Sequence, residues 1–247
     1  MPLTPQQLAQ FHDDGFVVVK GLVKAAALDL LKTEIEALHE RMAAAPTPGV
    51  GVSWEENLPA GHAPRIRQLM HSERVSPLIE QLLGSDTMLD IIEQLIGPKI
   101  ILYHSKLMMK AARDGSFTPW HQDWGYWQHH SIKASQVNCM LSIDPAAEDN
   151  GCIRFVPGSH KAGPVAHSRF QSSSFNIGLP GGLEAYPTAV PVATEAGDAV
   201  FFGSLVIHGS APNESGRDRR ANTFAFDITQ NWQNTQRNPS ERVLRNR

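Results

Sequence analysis

Apolar residues change their period along this chain near residue 99. Ahead of that point they recur at helical spacing: Leu28, Leu31, Ile35 and Leu38, between Lys24 and Ala45, predict one amphipathic helix. Thr4-Pro5 sets a capping hydroxyl before a proline suited to the first helical position, so a short helix carrying Leu8 and Phe11 should end near Gly15. The β-branched run Phe16-Val17-Val18-Val19 reads as a strand. Two further short helices are expected at 75–83 and 86–96, the second stopped by Gly97-Pro98. Residues 46–64, rich in Pro, Gly and Ala, predict a mobile loop around Trp54 that is placed to act as a lid.

Beyond Lys99 the apolar runs shorten to 100–109, 136–143, 152–156, 189–193, 198–208 and 221–228. Turn clusters separate them, among them Arg113-Asp-Gly, Glu148-Asp-Asn-Gly and Pro157-Gly-Ser. Strands at this rhythm predict an antiparallel sandwich or barrel. Helices first and strands later, without alternation, argue against a parallel α/β fold. The chain reads as one domain over 1–247: a helical part to about residue 98, a β core over about 99–229, and a polar, arginine-bearing tail expected to be partly disordered.

Composition narrows the function classes. With 247 residues and 41% apolar content there is enough for a sizeable core. Net charge is −3, from 22 basic and 25 acidic residues without a basic run, which argues against a nucleic-acid partner. Two cysteines, Cys139 and Cys152, imply no disulfide framework and are expected to be buried free thiols. No stretch approaches the roughly 18 apolar residues needed to span a bilayer. The opening Met-Pro-Leu-Thr-Pro-Gln-Gln lacks the regions of a signal peptide, so a cytoplasmic protein without a membrane partner is expected.

The candidate chemistry lies in His121-Gln122-Asp123 and in His208, at the end of an apolar run. In an extended strand residues i and i+2 face one side, so His121 and Asp123 should reach one ion while Gln122 points away. Two imidazoles and a carboxylate make the facial triad of non-haem Fe(II), with positions open for a bidentate co-substrate and dioxygen. A His-x-Asp pair alone is weak in a chain with 11 histidines, and a lone buried His208 would ordinarily be a hydrogen-bonded core residue. The aromatics of Trp120-His-Gln-Asp-Trp124-Gly-Tyr126-Trp127 strengthen the pair, because they suit a dry cavity. A zinc hydrolase would use the same three ligands, but no general base stands out. Arg217-Asp-Arg219-Arg220 is either solvated charge at a strand edge or, returned to the pocket, a bidentate anchor for a carboxylate.

Four segments in order resemble the phytanoyl-CoA dioxygenase family of Fe(II)/2-oxoglutarate-dependent oxygenases. They are His121-x-Asp123, Glu148-Asp-Asn-Gly-Cys-Ile-Arg-Phe-Val-Pro-Gly-Ser-His160, Gly197-Asp-Ala with Ile207-His-Gly-Ser-Ala-Pro-Asn213, and Arg219-Arg-Ala221. Phe11-His-Asp-Asp-Gly-Phe-Val-Val-Val19 fits the family's N-terminal helix–strand pattern, so the resemblance covers nearly the whole chain. It implies a mainly β fold with flanking helices, a double-stranded β-helix of the jelly-roll, cupin-like kind. It implies Fe(II) on His121, Asp123 and His208, and 2-oxoglutarate anchored by Arg219 with Ser210 as a second donor; a register slip would exchange Arg219 for Arg220. His160 then belongs to a structural turn. The metal carboxylate is present as Asp123, which disfavours halogenation, whereas Met140 departs from the tryptophan common in relatives.

The implied reaction consumes dioxygen and 2-oxoglutarate and hydroxylates an unactivated C–H bond of a small-molecule metabolite or natural-product intermediate. Desaturation, cyclisation or epimerisation by the same iron chemistry, and hydroxylation of an acyl-CoA, stay open. So does a jelly-roll binding module with a vestigial site. Substrate candidates are Trp120, Trp124, Tyr126, Arg67, Lys106 and Met140. Each has an ordinary reading: core packing for the aromatics, surface charge for the two cations, gap filling for the methionine. No basic surface stands out for a coenzyme A diphosphate, which favours a compact substrate. Monomer and homodimer are both compatible with the sequence.

Overall fold

The structure is a computed structural model describing residues 2–56, 58–170, 174–232 and 242–245. Helix α1 (Pro5–Asp14) begins at Thr4, whose hydroxyl accepts the Gln7 N–H while the Gln7 side chain accepts the Thr4 N–H. Strand β1 (Phe16–Val19) follows, then α2 (Ala25–Ala44), which buries Leu28, Leu31, Ile35, Leu38 and Met42. Next come β2 (Val52–Trp54), β3 (Ile66–Met70), α3 (Pro77–Leu83) and α4 (Asp86–Ile96). The β region comprises β4 (Ile100–Lys110), β5 (Thr118–His121), a single helical turn α5 (Trp124–Trp127), β6 (Val137–Ser142) and β7 (Ile153–Phe155). It continues with β8 (Ser168–Arg169), β9 (Ile177–Gly178), β10 (Val190–Pro191), β11 (Ala199–Gly203), β12 (His208–Ser210), β13 (Arg219–Ile228) and β14 (Arg242–Val243).

All strand pairs among the described residues are antiparallel. The large sheet runs β1-β11-β6-β13-β4-β3-β2, with β14 added on β4, and the small sheet runs β10-β7-β12-β5. These two sheets form a double-stranded β-helix, a jelly-roll, as expected. Period-2 alternation gives the large sheet two different faces. Its outer face, with Cys139 and Leu141, Phe201, Phe224 and Phe226, packs on α2, α3 and α4 in the main core. Its inner face, with Met140, Val200, Phe202 and Ala221, meets Ile153 and Phe155 of the small sheet. Both cysteines are free and buried, and no helix among the described residues is long and apolar enough to cross a membrane.

Two expectations need correction. The 46–64 segment is not simply a loop: Val52–Trp54 pairs with Ile66–Met70 and extends the large sheet at its edge. With Glu55 N–H bonded to Arg65 O, the segment is tied to the sheet, and none of its described residues lines either cavity at the metal-ligand candidates. The run 198–208 is not one strand. It breaks after Gly203, and β11 and β12 belong to different sheets. Of the tail, residues 233–241 lie outside the described residues, but 242–245 are docked: β14 pairs with β4, and buried Arg245 meets Asp86, Asp90 and Glu93.

The turn before β11 locks the N-terminal elements to the sheet. Gly197 stands at φ 92°, where an added Cβ would lie 2.3 Å from the Val23 carbonyl oxygen. Its carbonyl accepts the Val23 N–H, and neighbouring Asp198 accepts from the Gly21 N–H, the Glu195 N–H and Lys20. Gly197→Ala should therefore lower stability by about 2 kcal/mol or more, read as a reduced denaturation midpoint, because both the backbone conformation and the contact forbid a side chain.

Candidate active site

β5 and β12 pair so that His121 stands directly opposite His208, with ring centroids 4.1 Å apart. Each imidazole is fixed by a short bond to its own chain: His121 Nδ1 lies 2.8 Å from Pro119 O, and His208 Nδ1 lies 3.0 Å from Val206 O. A carbonyl only accepts, so Nδ1 carries the proton in both rings and Nε2 keeps its lone pair. Both Nε2 atoms face Asp123, at 3.5 Å from Oδ1 for His121 and 3.8 Å from Oδ2 for His208.

Asp123 arrives by a route the sequence did not foretell. β5 ends at His121, and Asp123 has φ −59° and ψ −30°, the helical conformation that starts α5. The carboxylate is brought back by this turn rather than by strand alternation. Gln122 does point away. Its side chain donates to Gly163 O and Leu205 O and accepts the Val165 N–H, fastening the turn between β11 and β12 to the ligand pair. Asn138 on β6 donates to Asp123 Oδ2 at 2.8 Å and holds the carboxylate from the large sheet.

The donor set fits a divalent cation. One ligand atom from each of His121, Asp123 and His208 lies within 4.8 Å of the others, and all three residues are buried. Two lone pairs and a carboxylate converge with no proton between them, an arrangement that is repulsive until a cation enters. Burial pushes the His208 imidazole down to about 4, and His121 beside it acts in the same direction. Burial opposes charge on Asp123, but the attraction of His208 and His121 when those rings carry a second proton, together with that of Lys106, outweighs it and holds this carboxyl well below the usual carboxylate range.

Arg219 and Ser210 line the same cavity as the triad. The Arg219 guanidinium is buried, and its one side-chain hydrogen-bond partner among the described residues is Met140 Sδ at 3.9 Å. A buried guanidinium without an acid is a receptor for an anion. Arg220 points to the opposite face, held by Asp144 at 2.7 and 3.0 Å and by Glu36 on α2. Alternation along β13 thus separates the two arginines.

The remaining substrate candidates divide. Lys106, Arg67 and Met140 line the cavity, and Tyr126 lines a second one that shares His121 and Asp123 with the first. Trp120 faces away from His121 into a core cluster with Leu179, Ala189 and Ile207, its Nε1 donating to Gly182 O. Trp124 lines neither cavity and packs in a cluster with Tyr103 and Trp127. Neither tryptophan lines these two cavities. Sequence reasoning missed Asn138, Gln68, His104 and Phe175 as lining residues. Asn138 had a signal, an amide inside the apolar strand Val-Asn-Cys-Met-Leu; Phe175 sits in a polar, aperiodic stretch and had none.

Because His208 binds its second proton less readily when folded than when unfolded, the unfolded chain takes up protons first as pH falls from about 6.5 to 4. The metal-free protein should then lose on the order of a few kcal/mol of stability across that window. His208→Gln should flatten this part of the curve in chemical denaturation at a series of pH values.

Comparison with known proteins agrees with this geometry. The sequence profile of phytanoyl-CoA dioxygenase matches residues 11–221. The peroxisomal phytanoyl-CoA dioxygenase of Bos taurus is 27% identical over 236 residues, covering 91% of this chain and 68% of that protein. The L-proline trans-4-hydroxylase of Streptomyces griseoviridis is 29% identical over 138 residues, 49% of this chain, so the match spans about half of that enzyme's length, 52%. In fold, the chain is similar to EctD from S. alaskensis crystallised with bound Fe: TM-score 0.79 at 18% identity, covering all of this chain and 88% of that one. The chain belongs to the phytanoyl-CoA dioxygenase family, whose members are non-haem iron oxygenases that use 2-oxoglutarate.

Proposed function

We propose that this enzyme hydroxylates an unactivated C–H bond of a compact small molecule, with Fe(II) held by His121, Asp123 and His208. The observation that carries the reading is the convergence of two proton-free Nε2 atoms and one carboxylate beside a buried arginine with no acid of its own. Bound Fe(II) and 2-oxoglutarate supply oxidative decarboxylation coupled to dioxygen activation. The chain's own residues do the positioning. Arg219 takes the distal carboxylate of 2-oxoglutarate, and Ser210 is a second donor from β12 of the other sheet. The backbone carbonyls of Pro119 and Val206 fix the tautomer of each ligand, and Asn138 fixes the carboxylate. Phe202 and Phe155, with ring centroids 5.0 and 5.8 Å from that of His208, keep that side of the site dry. A small molecule as the partner is in keeping with a net charge of −3 and no basic run.

Anaerobic titration with Fe(II) and 2-oxoglutarate tests the reading through the weak visible charge-transfer band of the chelate. Wild type should develop the band, and Asp123→Ala should not. Arg219→Ala should weaken 2-oxoglutarate binding by about a hundredfold, as expected for a lost charge-assisted pair. Arg220→Ala should leave that affinity intact and lower stability instead. A folded, iron-supplied wild type without a band would sink the oxygenase reading. Product mass decides the outcome of turnover: gain of one oxygen is hydroxylation, while loss of two hydrogens is the desaturation or ring closure that the same site can direct by substrate placement.

A further inference from the structure

Two cavities meet at the triad. The first runs from His121, Asp123 and His208 toward Arg219 and Ser210; the second, of about 460 Å³, leads away past His104, Tyr126, Trp127 and Asn176. Lys106, on β4, lines both. Its position follows from alternation, since His104, Lys106, Met108 and Lys110 share the inner face of that strand.

Every other cation around the first cavity is answered within the chain or by the co-substrate. Arg67 donates to Phe117 O at 2.7 Å, lies over the Phe175 ring at 5.4 Å, and is attracted by Glu55. Lys110 donates to Ser116 O and Ala211 O at 2.7 and 2.6 Å. Arg219 is matched by the far carboxylate of 2-oxoglutarate. Lys106 is the exception: among the described residues it has no hydrogen-bond acceptor and no salt-bridge partner, and the acid whose field it feels is Asp123. That carboxylate is committed to the metal. The two positive charges of Fe(II) are met by Asp123 and the near carboxylate of 2-oxoglutarate, so the half-buried ammonium of Lys106 is left over on the wall the two cavities share. A charge in that position is costly until an anion joins it.

We propose that Lys106 is the specificity-determining anchor for a carboxylate of the substrate, which makes the substrate class a compact carboxylic acid bound in the second cavity. The proposal rests on the oxygenase reading above and deepens it. Burial keeps neighbouring His104 neutral, so it adds a hydrogen-bonding edge rather than a second charge. The aromatic rings of Tyr126 and Trp127 face the apolar body of the molecule. One carboxylate, held beside the metal's open side, presents the carbons near it to the reacting centre, and the cavity volume suits a small ligand. An acyl-CoA has its acid masked as a thioester and gains nothing from this lysine.

The test uses the holoenzyme with Fe(II) and 2-oxoglutarate, kept anaerobic. Probes are a panel of short alkyl, cyclic and amino carboxylates, each paired with its carboxamide, scored by perturbation of the charge-transfer band. Carboxylates should bind about tenfold or more tighter than their amides, and Lys106→Met should abolish that preference while its 2-oxoglutarate titration matches wild type. Since the substitution removes a charge left unmatched once Asp123 is engaged by the metal, Lys106→Met loaded with Fe(II) and 2-oxoglutarate should melt at or above the equally loaded wild type. Amides equal to acids, or an acid preference that survives in Lys106→Met, would overturn the proposal. So would a loss of 2-oxoglutarate binding in that variant, which would assign the lysine to the co-substrate. If no panel member binds, bromide soaked into crystals of the holo complex decides: an anomalous peak on Lys106 Nζ supports the anchor, and its absence overturns it. A wild type with no band at all instead sinks the broader oxygenase reading.

Discussion

Everything at this site depends on one cross-strand pair. β5 and β12 are short, yet their register sets His121 against His208, and each ring is turned by the backbone carbonyl two residues earlier in the chain. Strand pairing supplies the distance and the backbone supplies the tautomer. No side chain need be recruited to orient either imidazole, which leaves the surrounding positions free for other tasks. Asp123 closes the set from a helical turn, and Asn138 reaches across from the large sheet to hold it. The two sheets are thereby joined through a ligand as well as through Phe16, Phe155 and Phe202 in the apolar core between them.

The large sheet meets two incompatible demands by alternation. Its outer face needs bulk to bury α2, α3 and α4, and carries Phe201, Phe224 and Phe226. Its inner face needs charge and amides, and carries Arg219, Asn138 and Lys106. Adjacent residues therefore differ sharply in polarity, as in Arg219-Arg220, where one guanidinium is buried without an acid and the other is clamped by Asp144. A shift of one residue in the register of β13 would reverse the two, which ties the chemistry of the cavity to the pairing of β13 with β4 and β6.

Much of this was legible in the sequence. Helical spacing gave α2 nearly to its ends, the Gly97-Pro98 stop bounded α4, and the capping pair Thr4-Pro5 marked the start of α1. Apolar runs located β4, β6 and β13 because strands packed on both faces are nearly continuous in apolar character. Other features depend on distant partners. β2 exists because β3 pairs with it, in a stretch whose composition reads as loop. The break between β11 and β12 hides inside one apolar run, since Val206 and Ile207 are buried in the turn as fully as a strand would bury them. Trp120 and Trp124 looked like cavity residues because they flank the ligands, but flanking positions on β5 and α5 face other neighbours.

Apart from Tyr126 and Trp127 on the turn after Asp123, the chamber beside the ligands is built from other parts of the fold than the ligands themselves. His121 and His208 stand on the small sheet, whereas Gln68, His104 and Lys106 come from β3 and β4 of the large one, and Phe175 and Asn176 from the stretch before β9. Iron chemistry and molecular recognition are thus separable inheritances. Drift in the second can proceed without loosening the first. A scaffold partitioned in this way is well suited to diverging into catalysts that share one oxidant and differ in what they oxidise, and a search for altered selectivity is best confined to the strands that never touch the metal.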